Sequence, residues 1–114
     1  MNTLKNKVQL IGNLGNAPEI RKTESGKTLA RFSVATNEIY RNEKGEKITD
    51  TQWHNLVAWG KVAENVEKYL NKGTEVVIDG KLVSGNYLDK EGNKKYFTEV
   101  HVNEFLLVGS KPSA

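Results

Sequence analysis

The chain has 114 residues, no cysteine, and 17 lysine and arginine residues against 14 aspartate and glutamate residues, for a formal net charge of +3. A single domain of this size buries a core without disulfides, and the lack of cysteine excludes thiol nucleophiles, zinc–thiolate sites and iron–sulfur clusters. No apolar run approaches the roughly 20 residues of a membrane span, and the first residues lack a signal peptide's apolar segment. We therefore expect one soluble, intracellular, mildly basic domain that would tolerate a polyanionic partner.

Most of the chain alternates apolar and polar residues with a period of two, which predicts half-buried β-strands. Five such segments follow in order: around Val8–Leu14, around Ala30–Val34, from Thr51 to Gly60, around Val76–Leu82, and from Val100 toward Val108. Polar stretches that contain glycine separate most of them and predict turns at Glu24–Lys27, Asn42–Lys47 and Asp89–Asn93.

The alternation stops between the third and fourth strands, where Val62, Val66, Tyr69 and Leu70 follow helical spacing. Three strands, one helix and two strands is the order of the OB-fold. We therefore predict an all-β protein, a five-stranded Greek-key barrel with one α-helix between strands 3 and 4. A generic five-stranded α+β sandwich is the alternative, and the position of the helix favours the barrel. The domain is assigned to residues 1–109, and residues 110–114 are expected to form a frayed end.

Aromatic residues gather on the third predicted strand and at the tips of two predicted hairpins. Leu56 and Ala58 suit a barrel interior, so Trp53 and Trp59 on the same strand are expected to point outward on one side. Three tyrosines lie at the predicted hairpin tips, namely Tyr40, Tyr87 and Tyr96. Exposed aromatic rings can stack on nucleic-acid bases, whatever the base sequence. The alternative is that the tryptophans pack beneath loops or in a subunit interface.

Basic residues near these aromatic positions are candidates for contacts with a phosphate backbone. They are Lys7, Arg21, Arg31, Arg41, Lys61, Lys72 and Lys81. Arg31 alternates with Phe32 and should face outward if Phe32 faces the core. Each lysine taken singly is best explained as a solvated surface charge, and only its proximity to aromatic residues favours nucleic-acid binding.

The sequence lacks the patterns of an enzyme, such as clustered histidines, a phosphate-cradling glycine loop or a nucleophile elbow. Asp79 and Glu75 are charged residues of a strand and are expected to face solvent. We therefore predict no enzymatic activity, no cofactor and no metal site. The alternative to nucleic-acid binding is an OB-fold adaptor, such as a primosome component, that binds another protein through its aromatic face.

Several segments in order resemble the bacterial single-stranded DNA-binding protein family. They are KVQLIGNLGNAPEIR at 7–21, FSVATNE at 32–38, TQWHNLVAWGK at 51–61, YLNKG at 69–73 and IDGKL at 78–82. The resemblance covers about residues 5–108 and is specific because separate motifs match in the right order. It implies sequence-independent binding and protection of single-stranded DNA during replication, recombination and repair, usually by a homotetramer, in the cytoplasm at the nucleoid.

The resemblance also implies roles for particular residues. Aromatic contacts with DNA are implied for Tyr40, Trp53, Trp59 and Tyr87, and basic contacts for Lys7, Arg21, Lys61 and Lys72. The family often has tryptophan at the first and last of the aromatic positions and commonly phenylalanine at the third. Residues 83–86, Val-Ser-Gly-Asn, depart from relatives that have arginine or lysine there, and Lys81 and Arg31 would partly compensate.

Two features concern assembly and partners. The resemblance places His54 near subunit contacts, whereas alternation alone is equally consistent with a buried, hydrogen-bonded histidine; His101 is interpreted as structural or surface. Typical relatives continue into a glycine-, proline- and glutamine-rich linker with an acidic tip that recruits replication and repair proteins. Because this sequence ends at Ala114, we expect a trimmed or naturally short variant without tail-mediated partners.

Overall fold

The computed structural model of the chain describes residues 5–108, so the predicted frayed end at 110–114 lies outside the described residues. It contains six strand segments and one helix. In chain order they are β1 Val8–Leu14, β2 Glu19–Lys22, β3 Thr28–Arg41, β4 Lys47–Trp59, α1 Gly60–Tyr69, β5 Glu75–Leu88 and β6 Lys94–Leu107. The one helix of the described range is not long and apolar enough to cross a membrane.

The structure has one strand segment more than the five predicted, because β2 follows the first predicted strand, which β1 matches. Both β1 and β2 pair with β3, through Leu14 opposite Val34 and Glu19 opposite Arg31. Residues 15–18 form a short loop between them, and Pro18 cannot donate a ladder hydrogen bond there. The two segments therefore act as one bent strand of the barrel.

The strands close into a barrel in the order β1-β5-β6-β4-β3, and the pairing of β1 with β3 completes the ring. β4 and β6 run parallel, while the other neighbours are antiparallel. Gly12 lies at the closure, where a Cβ atom would stand 2.1 Å from the carbonyl oxygen of Ala35. A closed OB barrel with its helix between the third and fourth barrel strands is the predicted fold, and the prediction is confirmed.

The core follows the alternation along each strand. Ala30, Phe32 and Val34 of β3 face Leu56 and Ala58 of β4, and all five are at most 4% exposed. The other members of the core cluster come from the remaining barrel strands, from one side of α1 and from the residue that follows this helix: Leu14, Val76, Ile78, Val100, Val102, Ala63, Val66 and Leu70. The helix thus covers part of the barrel with its apolar face, as its 3.6-residue spacing predicts.

Two hairpins extend beyond the barrel. β3 and β4 stay paired as far as Arg41 opposite Lys47, and β5 and β6 as far as Leu88 opposite Lys94. The radius of gyration is 16.4 Å, whereas a compact chain of this length has about 13 Å. The distal parts of the hairpins therefore expose both of their faces, and they carry many of the candidate residues.

Candidate nucleic-acid interface

Trp53 lies across the loop that follows β1. A Cβ atom at Gly15 would stand 2.3 Å from Cζ3 of the indole and 2.9 Å from Cη2, so the ring rests on bare backbone. The loop is held by Asn16, whose Oδ1 accepts hydrogen bonds from the Ser33 backbone N–H at 3.1 Å and the Ser33 hydroxyl at 2.7 Å. Trp53 nevertheless remains 62% exposed. Its ring is therefore a supported but open aromatic surface.

Trp59 shares the outward face of β4 with Trp53, as even spacing along the strand requires, and is 43% exposed. Asn55 lies between them on the same face and is exposed. Neither tryptophan is buried beneath a loop of the described chain. The arrangement presents two indoles and an amide along one strand.

Val57 also lies on this outward face, yet it is only 1% exposed. Its register partners are Arg31 on β3 and His101 on β6. Glu99 joins these two side chains, because its Oε1 lies 3.1 Å from His101 Nε2 and its Oε2 accepts a hydrogen bond from Arg31 Nη1 at 3.4 Å. We attribute the burial of the valine to this polar layer. Arg31 faces outward as predicted and keeps 53% of its side chain exposed.

The three candidate tyrosines lie on different faces of the hairpins. Tyr40 is 53% exposed and, by alternation along β3, lies on the face opposite Ala35, the register partner of Trp53. In the other hairpin Tyr87 pairs with Lys95, while Tyr96 pairs with Asn86, so the two tyrosines point to opposite faces. Tyr96 is the most exposed of them, at 75%. Aromatic side chains are thus available on both faces of each hairpin.

The basic candidates divide into two groups. Lys7, Arg21 and Arg31 form ion pairs with Asp79, Glu19 and Glu99, respectively. Four others are exposed and, among residues 5–108, take part in no ion pair: Arg41, Lys61, Lys72 and Lys81. The second group is therefore the better placed to attract phosphates, since its charge is not compensated by a bound carboxylate.

Sequence reasoning missed part of the β5–β6 hairpin. Lys94 and Lys95 are exposed beside Tyr96, and the Phe97 ring packs on Gly85, where a Cβ atom would stand 2.7 Å from Cζ. The signal was present in the sequence, because two lysines precede two aromatic residues directly. These four side chains make the hairpin basic and aromatic although residues 83–86 carry no charge.

His54 is half-buried on the face of β4 opposite Trp53, and its Nε2 lies 3.1 Å from the Thr36 hydroxyl oxygen. The hydrogen-bonded histidine that was one of the two sequence interpretations is therefore present. A role in a subunit contact stays a prediction. No group of histidine and acidic residues within the described range could hold a metal ion.

A cleft of about 230 Å³ opens where β4 and β6 diverge toward their hairpins. Trp53 and Asn55 line it from β4, Thr98 and Glu99 from β6, and Leu82 from β5, with His54 and Val100 completing the wall. The cleft thus joins an aromatic surface to a carboxylate, an amide and a hydroxyl.

Comparison with known proteins agrees with this fold. Residues 5–108 match the family model described as "Single-strand binding protein family". Single-stranded DNA-binding protein 1 of Chlorobaculum tepidum is 44% identical over 109 residues, which span 95% of this chain and 67% of that protein. Its namesake in Xylella fastidiosa is 43% identical over 107 residues, spanning 93% and 79%. A solved structure, the Plasmodium falciparum SSB complex with ssDNA, matches with a TM-score of 0.79 and 33% identity over 90% of this chain and 92% of that one. By its motifs, its closed barrel and these matches, the chain belongs to the single-strand binding protein family.

Proposed function

We propose that this chain binds single-stranded DNA independently of sequence and protects it during replication, recombination and repair. The observation that carries the proposal is Trp53, an indole that is 62% exposed yet supported from beneath by Gly15. A stacked base gains ~1–3 kcal/mol, and every base offers a π-face. The family comprises non-enzymatic DNA-binding proteins, in agreement with the prediction from sequence.

In the proposed function, DNA binding combines base stacking with phosphate neutralisation. Trp53, Trp59, Tyr40, Tyr87 and Tyr96 are the proposed stacking residues, and all five are at least 43% exposed. Because both faces of the hairpins carry aromatic rings, a DNA strand that passes around a hairpin edge can stack its bases on the rings of both faces. Bases held in this way cannot pair with one another, so hairpins in the DNA would be removed. No bond is made or broken.

The phosphate contacts are proposed for Lys7, Arg21, Arg31, Lys61, Lys72 and Lys81, with unequal contributions. Lys61 lies in the first turn of α1, Lys72 follows the end of that helix, and Lys81 lies beside His101 in the β5–β6 register. Each neutralised phosphate on single-stranded DNA adds about 0.7 to the salt-dependence slope. A cation already paired with a carboxylate must exchange that partner for phosphate, so the paired residues should contribute less than the free lysines.

We also propose that the chain assembles, with the homotetramer typical of its family as the expected state. Ile11, Val77 and Leu106 stand side by side on the outer face of β1, β5 and β6. Ile11 is 53% exposed and Leu106 is 67% exposed, and contiguous apolar surface of this kind marks interaction sites. His54 is a second proposed subunit contact. The proposed location is the cytoplasm, at nucleoid DNA.

Titration with oligo-dT of increasing length, followed by tryptophan fluorescence and by sizing, tests this function. We expect strong quenching that weakens with salt. Trp53→Ala should weaken binding about 5- to 150-fold, the equivalent of ~1–3 kcal/mol, with an intact fold. Tyr69→Ala is the matched control, because Tyr69 is a half-exposed aromatic residue on α1, away from the two hairpins. Unchanged fluorescence with DNA at low salt would favour the protein-binding adaptor instead.

A further inference from the structure

Glu99 places a carboxylate on the surface that we propose binds single-stranded DNA, which is a polyanion. Its side chain is 15% exposed and lines the cleft beside Trp53 and Asn55. A phosphodiester carries no hydrogen-bond donor, so it cannot donate to this carboxylate. A group that contacts Glu99 in the cleft should therefore be able to donate a hydrogen bond.

The carboxylate keeps acceptor capacity for such a group. One oxygen contacts His101 and the other contacts Arg31, whereas an ionised carboxylate can accept about four hydrogen bonds. Asn55 offers an amide that, within the described residues, makes no side-chain hydrogen bond. Trp53 supplies the stacking surface at the mouth of the same cleft. A base stacked on Trp53 would thus present its edge to the carboxylate of Glu99 and the amide of Asn55.

We propose that this cleft holds one DNA base and that Glu99 accepts a hydrogen bond from its exocyclic amine, with Asn55 alongside. Cytosine, adenine and guanine carry such an amine and thymine does not, and acidic side chains accept from cytosine N4 in other protein–DNA contacts. The cleft therefore gives a preference for amino-bearing bases at one nucleotide of an otherwise sequence-tolerant site. This inference rests on the proposed function.

The test removes the amine from the DNA and the charge from the protein. Oligo-dC is compared with the same oligomer built from pyrimidin-2-one nucleotides, which lack only the 4-amino group. Dissociation constants are measured for the full chain, for Glu99→Gln, for Asn55→Ala and for the control Glu64→Gln on the exposed side of α1. The readout is the dissociation constant for the pyrimidin-2-one oligomer divided by the dissociation constant for oligo-dC. Any uniform change in phosphate attraction cancels in this ratio.

We expect the ratio to be about fivefold larger for the unmodified chain than for Glu99→Gln, the equivalent of about 1 kcal/mol. Glu64→Gln should keep the full ratio. Asn55→Ala should reduce the ratio, and this variant tests the cleft if Glu99→Gln folds poorly. A merely structural role of Glu99 would weaken both oligomers alike and leave the ratio unchanged, which would overturn the inference while the proposed function stands. A failure of every oligomer, oligo-dT included, to bind would refute the proposed function itself.

Discussion

Replacing Gly15 by alanine should disturb DNA binding through Trp53 while sparing the fold. Gly15 does not adopt a positive φ, so alanine can take its backbone conformation. The new Cβ would lie 2.3 Å from Cζ3 of Trp53, whereas carbon atoms pack at about 3.5–4.0 Å, so the ring must retreat by roughly 1.2–1.7 Å. Because the indole is 62% exposed, it can move into solvent at little cost in stability.

The expected loss of affinity lies below that of Trp53→Ala, which removes the whole ring. We expect Gly15→Ala to weaken binding to oligo-dT about fivefold, or about 1 kcal/mol, within the ~1–3 kcal/mol of one stacked base. Fluorescence titration at low salt measures the affinity, and the emission maximum reports the displaced indole. Ala17→Ser is the control, since Ala17 is exposed in the same loop.

A double-mutant cycle separates this mechanism from a general disturbance of the loop. In a Trp53→Ala background, Gly15→Ala should have almost no further effect, because the ring that it displaces is absent. Additive effects would show that Gly15 acts by another route. Unchanged affinity and emission in the single variant would refute the argument that the glycine supports the indole.

Three further outcomes follow from the same geometry. Gly12→Ala should destabilise the fold by about 1–3 kcal/mol in denaturant titration, because its Cβ would meet the Ala35 carbonyl oxygen, which belongs to the barrel backbone and cannot swing away as a side chain can. Lys81→Ala should lower the salt-dependence slope by about 0.7 per protomer, while Lys7→Ala, whose ammonium is already paired, should change the slope less. Leu106→Asp should reduce the assembly state in sedimentation, and an unchanged mass would exclude this face as the interface.

Periodicity predicted the elements and the barrel because both depend on local pattern. It missed β2, because the four residues Glu19–Lys22 include one apolar residue and are too few to show a period of two. The family resemblance grouped Tyr40 with Trp53 as DNA contacts, although Tyr40 shares the parity of Phe32, which faces the core. Side chains of that parity are buried only in the part of β3 that belongs to the closed barrel. Beyond the barrel the same hairpin face is open to solvent, and how far a hairpin projects depends on distant pairings that sequence spacing does not reveal.

Ion pairing between strands was beyond the reach of sequence, and it changes how the site is understood. Asp79 and Glu99 neutralise Lys7 and Arg31 from positions 72 and 68 residues away. The charges beside Val57 are therefore partly compensated. Among residues 5–108, several of the lysines that take part in no ion pair lie in or after α1, on β5 and in the β5–β6 hairpin: Lys61, Lys72, Lys81, Lys94 and Lys95. On the proposed function, these lysines would attract phosphates and the aromatic rings of β4 would hold the bases. Stacking and amine recognition at Trp53 and Glu99 are consistent with that division.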